Sequence, residues 1–221
     1  SPDGRFLMWS SNRNGHMEIW ISNRDGTGAR QVSNDGVDAE NPTMTPDGEW
    51  IVYGSANDEH IGLWRIRPDG TDAEHLHHGT DLIPEVSPDG RYALFNVIRR
   101  MNFVIQVFDL VAGKMTPFQI TIPLTNRTQD VVYGRARWTP DGTAIAYVGQ
   151  GPEGNSGIFV QDFDPGGSDT SASRRPLMGF NDDFSTESLG VSADGTRLVV
   201  STVFMRQTLI MVDELELQDW D

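Results

Sequence analysis

Ser1-Pro2-Asp3-Gly4 returns four times along the chain, as Thr45-Pro46-Asp47-Gly48, Ser87-Pro88-Asp89-Gly90, Thr139-Pro140-Asp141-Gly142 and Ser192-Ala193-Asp194-Gly195. Successive copies stand 44, 42, 52 and 53 residues apart. Each has the composition of a tight turn. Ser or Thr can bond the backbone two residues on. Proline presets φ at the second position of a type I turn, and glycine takes the left-handed site that closes a hairpin with a bulge. A period of this size with β-rich filling marks an array of sheet units.

Working outward from each turn, an apolar strand follows: Phe6-Leu7-Met8-Trp9, Trp50-Ile51-Val52-Tyr53, Tyr92-Ala93-Leu94-Phe95, Ala144-Ile145-Ala146-Tyr147 and Leu198-Val199-Val200. These runs are nearly continuous in apolarity, as strands covered on both faces are. A second strand follows a polar loop: Glu18–Ile21, Gly62–Ile66, Val104–Phe108, Gly157–Val160 and Thr208–Val212. A polar third strand has the character of an outer edge, as in Arg30–Ser33 and Glu74–His77. A short inner segment completes each unit just before its turn: Asn41–Met44, Ile83–Val86, Arg135–Trp138 and Ser188–Val191. Four strands per unit make a propeller blade. The expected fold is an all-β propeller of about five blades, as one domain over residues 1–221 with units starting near 1, 45, 87, 139 and 192. Two insertions break the period: Val111–Val132, and Gly149–Asn155 with Asp164–Arg175. The low-complexity run Pro165–Ser173 is expected to be mobile.

The turn, the apolar strand, the Ile-Trp pair and the Asp-Gly turns Asp25-Gly26 and Asp69-Gly70 together resemble the TolB-like, WD40-like repeat of bacterial β-propellers. The resemblance covers essentially the whole chain, with Ala193 where the pattern has proline. It implies a six-bladed parent, a role in protein–protein interaction at the cell envelope or as the sensor of a larger receptor, and a periplasmic location. It also implies rival readings, because similar repeats occur in oligogalacturonate lyases and in the propellers of prolyl-oligopeptidase-type peptidases. Unit one lacks its own inner strand. Either residues upstream supply it, or Leu215–Trp220 helps to close the ring.

The chain carries 32 acidic and 17 basic residues, a net charge of −15. That opposes nonspecific binding to nucleic acid or to an anionic membrane. With no cysteine, disulfides, thiolate catalysis and Cys-ligated zinc are excluded. No apolar run approaches membrane-spanning length, so no membrane insertion is expected.

In a propeller, the residues just before the inner strands ring the channel mouth. Alignment of the units places Asn41, Ile83, Arg135 and Ser188 at one level, with Glu40, Leu82, Gly134 and Glu187 one residue earlier. Arg99, Arg100 and Arg127 gather on or next to loops of the same face, with Arg137 nearby. A guanidinium fork suits carboxylate or phosphate. The expected ligand site at the mouth is therefore Glu40, Asn41, Arg135, Glu187 and Ser188, flanked by Arg99, Arg100 and Arg127. Its expected occupant is a protein or an acidic small ligand. Pairing of these arginines with nearby acids such as Asp130 is the structural alternative.

His75 and His77 share a strand face, a spacing that suits a transition metal. They fall on an outer strand with no third ligand fixed by spacing, so no metal or cofactor site is assigned. Asp25-Gly26 and Asp69-Gly70 read as turns rather than calcium loops. No Gly-x-Ser-x-Gly elbow and no phosphate-binding Gly-x-x-x-x-Gly-Lys occur, and no catalytic residue is assigned.

Overall fold

The computed structural model describes residues 1–80, 83–100, 102–123, 136–151, 153, 155–180, 186–192 and 194–202. Thr208–Val212, Leu215–Trp220 and Ala193 lie outside the described residues. Unit one contains β1 (Phe6–Ser11), β2 (Glu18–Asn23) and β3 (Arg30–Gln31). Unit two contains β4 (Ala39–Met44), β5 (Ile51–Ser55), β6 (Gly62–Ile66) and β7 (Glu74–His78). Unit three contains β8 (Glu85–Val86), β9 (Tyr92–Arg99), β10 (Asn102–Asp109) and β11 (Lys114–Pro123). Unit four contains β12 (Arg137–Trp138), β13 (Ala144–Gln150), β14 (Ser156–Asp162) and β15 (Arg175–Gly179), and unit five opens with β16 (Thr186–Val191) and β17 (Leu198–Thr202). Within each unit the strands pair in chain order, and every pair is antiparallel.

Two expectations from sequence need correction. The insertion expected over Val111–Val132 begins as the ten-residue outer strand β11, which buries Phe118, Ile120 and Ile122. Their alternation is a strand period, so the insertion of the third unit is carried in part by a strand. The run Pro165–Ser173 is not a slack linker either. Thr170 Oγ1 donates to the Asp162 carbonyl at 2.5 Å, and the amides of Gly166 and Ser171 donate to the carboxylates of Asp164 and Asp169. Ser171–Ser173 forms one 3-10 turn that leads into β15.

The core lies between units, not within them. Ile19, Ile21 and Val32 of unit one meet Met44, Ile51 and Tyr53 of unit two. Val52 and Leu63 of unit two meet Phe95, Val97 and Phe108 of unit three. Tyr92, Leu94 and Ile105 of unit three meet Trp138, Ile145 and Tyr147 of unit four, and Val148 and Ile158 of unit four meet Leu189 of unit five. Alternate residues of β9 thus enter different cores. That is why the strand reads as an unbroken apolar run. Phe163 ties the third and fourth units together, its ring edge-on to Tyr92, Phe118 and Trp138 at centroid distances of 4.9–5.0 Å. The inner strands β4, β8, β12 and β16 contact one another in that order, so the sheets stack side by side about a common line.

The recurring tetrapeptide does more than turn the chain. In every copy the Ser or Thr hydroxyl donates to the Asp carboxylate two residues on, at 2.6 Å in the first, fourth and fifth copies. The same oxygen accepts the backbone N–H five residues on, at 2.9–3.0 Å from Phe6, Trp50, Tyr92, Ala144 and Arg197. The Asp carboxylate also accepts the N–H of the residue after the glycine. The hydroxyl bond holds the carboxyls of Asp3, Asp47 and Asp141 below the usual range, and that of Asp194 at about 2.

Proline then links one corner to the next. A Cβ built on Gly90 would stand 3.0 Å from Pro46 Cδ, one on Gly142 3.5 Å from Pro88 Cδ, and one on Gly195 3.4 Å from Pro140 Cγ. The corners therefore form an interlocked row on one face. The Asp-Gly turn of unit two shares this face, since its Pro68 carbonyl accepts a bond from Arg30 Nη2 of unit one at 2.5 Å.

Two outcomes follow for stability. Gly48 and Gly90 both sit at φ 74°, but a Cβ on Gly48 meets nothing within 4 Å. Gly48→Ala is expected to cost about 1–2 kcal/mol through the left-handed backbone alone. Gly90→Ala is expected to cost about 1 kcal/mol more, because it also presses on Pro46. Urea denaturation of the two variants reads the difference. The depressed carboxyls contribute stability above the ordinary value of 3.8, and that contribution is lost as pH falls from there toward the folded value, about 2 for Asp194. Replacing Ser192 by alanine should flatten this acid limb of a stability-against-pH curve.

Candidate functional site

The antiparallel meander puts the tetrapeptide turns and the turns before the outer strands at one end of each sheet. Direct bonds join them: Arg24 N–H to the Arg5 carbonyl at 2.9 Å, Leu110 N–H to Arg91 at 2.8 Å and Phe163 N–H to Thr143 at 2.9 Å. The loops entering the inner strands share the opposite face with the hairpins β5–β6, β9–β10 and β13–β14.

A recess of about 370 Å³ opens on that opposite face between units two and three. Its polar side is Asp38, Glu40 and Asn41, and its apolar side is Ile61, Ile83, Ile98 and Phe103. Three local features create it. First, β5 ends in Gly54-Ser55 and is followed by Ala56, whose small side chains leave room. Second, β9 and β10 are eight residues each where β5 and β6 are five, so the longer hairpin carries the cross-strand pair Ile98 and Phe103 alongside the recess. Third, the register of β4 against β5 breaks between Glu40 and Thr43, where Asn41 turns to φ 57°. Its amide donates to Ser10 Oγ of unit one at 3.1 Å, which holds the turned backbone in place.

The loop before β4 is anchored by a residue that the sequence reading did not single out. Glu18 is 3% exposed. Its carboxylate accepts bonds from the Ser33 hydroxyl, from Asp35 N–H at 3.0 Å and from Gly36 N–H at 2.9 Å. Asp35 extends the network by accepting from Ser55 Oγ at 2.6 Å and from Asp38 N–H at 2.9 Å. Burial pushes the Tyr53 hydroxyl pKa up, with the charges of Asp35 and Glu18 adding to it. The available signal was a glutamate opening an otherwise apolar strand, Glu18-Ile19-Trp20-Ile21.

Of the residues nominated from sequence, Glu40 and Asn41 line the recess together with Ile83. Arg99 and Arg100 sit at the tip of the β9–β10 hairpin, exposed, with Arg100 in the turn at φ 48°. Neither appears in the recess lining. Arg127, Arg135, Leu82 and Gly134 lie outside the described residues, as do the side chains of Glu187 and Ser188. The backbone of Glu187 and Ser188 falls where β16 slips register against β17, at the position equivalent to the break in β4. Arg137 is a tie between units: it donates to the Leu189 carbonyl at 2.8 Å and stands 3.5 Å from Glu85.

The histidines occupy β7, where a bulge sets His77 opposite Leu63 and His75 opposite Trp64. His75 packs on the Trp64 ring at 5.1 Å, whereas His77 lies on Phe95 and Phe108 of unit three at 5.6 and 6.2 Å. Among the described residues, no three His, Asp or Glu side chains gather as metal ligands.

Sheets of four antiparallel strands, stacked on their faces with inner strands side by side, define a β-propeller. No family model matches the sequence, and no curated protein matches it either. Solved structures do. TolB from Acinetobacter baumannii superposes with a TM-score of 0.67 at 22% identity, over 88% of this chain and 46% of that one. A TolB candidate from Agrobacterium tumefaciens gives 0.63 at 21% identity, over 92% of this chain and 73% of that one. An oligogalacturonate lyase in complex with manganese gives 0.56 at 15% identity, over 92% and 69%. The fold is TolB-like, and the chain spans just under half the length of the Acinetobacter protein.

His77 supplies a pH test of the contact between units two and three. Burial lowers its pKa below 6.5, with the charges of Arg99, His75 and His78 adding to the effect. The folded state thus takes up this proton less readily than the unfolded chain. Stability is expected to fall as pH drops through 6.5. His77→Gln should remove much of the difference between urea midpoints taken at about pH 7.5 and about pH 5.5.

Proposed function

We propose that this chain is a noncatalytic recognition module, which holds a segment of a partner protein or a small ligand in the recess between units two and three. The observation that carries the reading is the composition of that recess, whose lining combines the apolar side chains of Ile61, Ile83, Ile98 and Phe103 with the polar ones of Asp38, Glu40 and Asn41. A concave apolar surface with a few converging polar groups is the form that ligand sites take. Ile98 is 53% exposed although it is large and apolar, which supports a surface kept open for contact. The resemblance to TolB-like repeats points the same way, toward protein recognition. The rival reading, a glycan lyase, has support in the likeness to the oligogalacturonate lyase.

A library of random heptapeptides displayed on phage, selected on the chain, tests the reading. Enrichment is expected on the wild type and should be lost on Ile98→Asp, a substitution at an exposed position that leaves the fold intact. Equal enrichment on both would place recognition elsewhere. Turnover of polygalacturonate together with stoichiometric bound metal would overturn the noncatalytic assignment.

A further inference from the structure

We infer that the recess is built for a peptide segment that presents a lysine or arginine beside an apolar side chain, with Asp38 as the residue that receives the cationic head. The inference rests on the recognition reading above and adds the ligand's chemistry. Three carboxylates meet at this corner of the molecule, and two are fully engaged. Glu18 accepts three bonds from its own loop. Asp35 accepts the amides of Val37 and Asp38 on one oxygen and the Ser55 hydroxyl on the other. Asp38 differs, because its Oδ1 is buried with no hydrogen-bond partner. A carboxylate oxygen removed from water without a donor is costly, and turning the side chain out to a donor brought by a ligand removes that cost.

The Asp38 backbone is pinned, which keeps the side chain at the recess. Its N–H donates to Asp35 and its carbonyl accepts from Ala56 N–H, both at 2.9 Å. The opposite wall suits the rest of a basic side chain. Long cationic side chains lay their methylene stems along apolar surface while the head seeks a charge or water. Ile61, Ile83, Ile98 and Phe103 offer that surface within the same recess. The described lining carries acidic and apolar side chains but no basic one. At longer range the net charge of −15 draws a cationic partner toward the chain. This reverses the charge of ligand expected from the arginines in the sequence. Arg99 and Arg100 stand on the neighbouring hairpin, outside the lining, so an acidic ligand is the competing outcome.

The peptides enriched in the selection above serve as the probe, each resynthesised with its basic residue replaced by norleucine or by glutamate. Affinities are read by fluorescence anisotropy. Lysine or arginine flanked by apolar residues should dominate the enriched pool. The norleucine forms should bind about tenfold more weakly. Asp38→Asn should bring the basic and norleucine forms level while holding or raising the melting temperature, since it removes the buried charge. Raising salt from about 50 to about 300 mM should weaken the basic form alone. Enrichment of acidic or neutral peptides that still depend on Ile98 would overturn this inference and leave the recognition reading standing, as would a basic-residue preference that survives in Asp38→Asn. Absence of any enrichment dependent on Ile98 would sink both. Should Asp38→Asn fail to fold, the norleucine comparison and the salt response on the wild type decide the matter.

Discussion

One hydroxyl in each corner carries the architecture. The oxygen of Ser1, Thr45, Ser87, Thr139 or Ser192 donates to an aspartate and accepts from the first amide of the next strand. This pair of hydrogen bonds sets where the strand leaves the turn, and so which of its residues face which neighbour. At Tyr92, which is 7% exposed, the accepted amide belongs to a buried residue. Losing the hydroxyl there would strand a donor, at a cost of about 1–3 kcal/mol. Proline and glycine add a contact between units at the third, fourth and fifth corners, which are held both by their own side chains and by the corner before.

A single unit cannot stand alone under this plan. Its sheet exposes an apolar face on either side, and each face is buried only when another sheet lies on it. The four cores identified here all join residues of adjacent units. Such arrays draw their stability from nearest-neighbour interfaces. The regular positions are therefore committed to holding the stack together, which leaves recognition to the places where the units differ. The recess is made of such differences: a buried glutamate particular to unit one, a turned asparagine in unit two and a lengthened hairpin in unit three.

Much of this was legible before any coordinates. The period, the corner chemistry and the continuous apolar runs led to stacked sheets, because each is a short-range property written in neighbouring residues. Two segments carry more structure than their composition announces. The insertion over Val111–Val132 opens with the strand β11, in which Phe118, Ile120 and Ile122 alternate, and the Gly- and Ser-rich run before β15 is hydrogen-bonded. In the second segment the order comes from short-range hydrogen bonds to Asp162, Asp164 and Asp169, which a Gly- and Ser-rich composition does not announce.

For the site, counting back from the inner strands located Glu40, Asn41 and Ile83 at one rim, since the same meander is repeated in every unit. The charge of the described lining did not follow. Arginines close in sequence suggested an acidic ligand, yet Arg99 and Arg100 project on a hairpin beside the recess, and Asp38 lines it. Sequence alone determined that the chain is a row of cornered sheets with one face of turns and one of loops. Only the tertiary structure decided which loop residues converge. That depends on hairpin length, on a register break and on a glutamate buried seventeen residues before the loop it anchors, between Glu18 and Asp35. These are contacts between segments distant in the chain, and no local pattern encodes them.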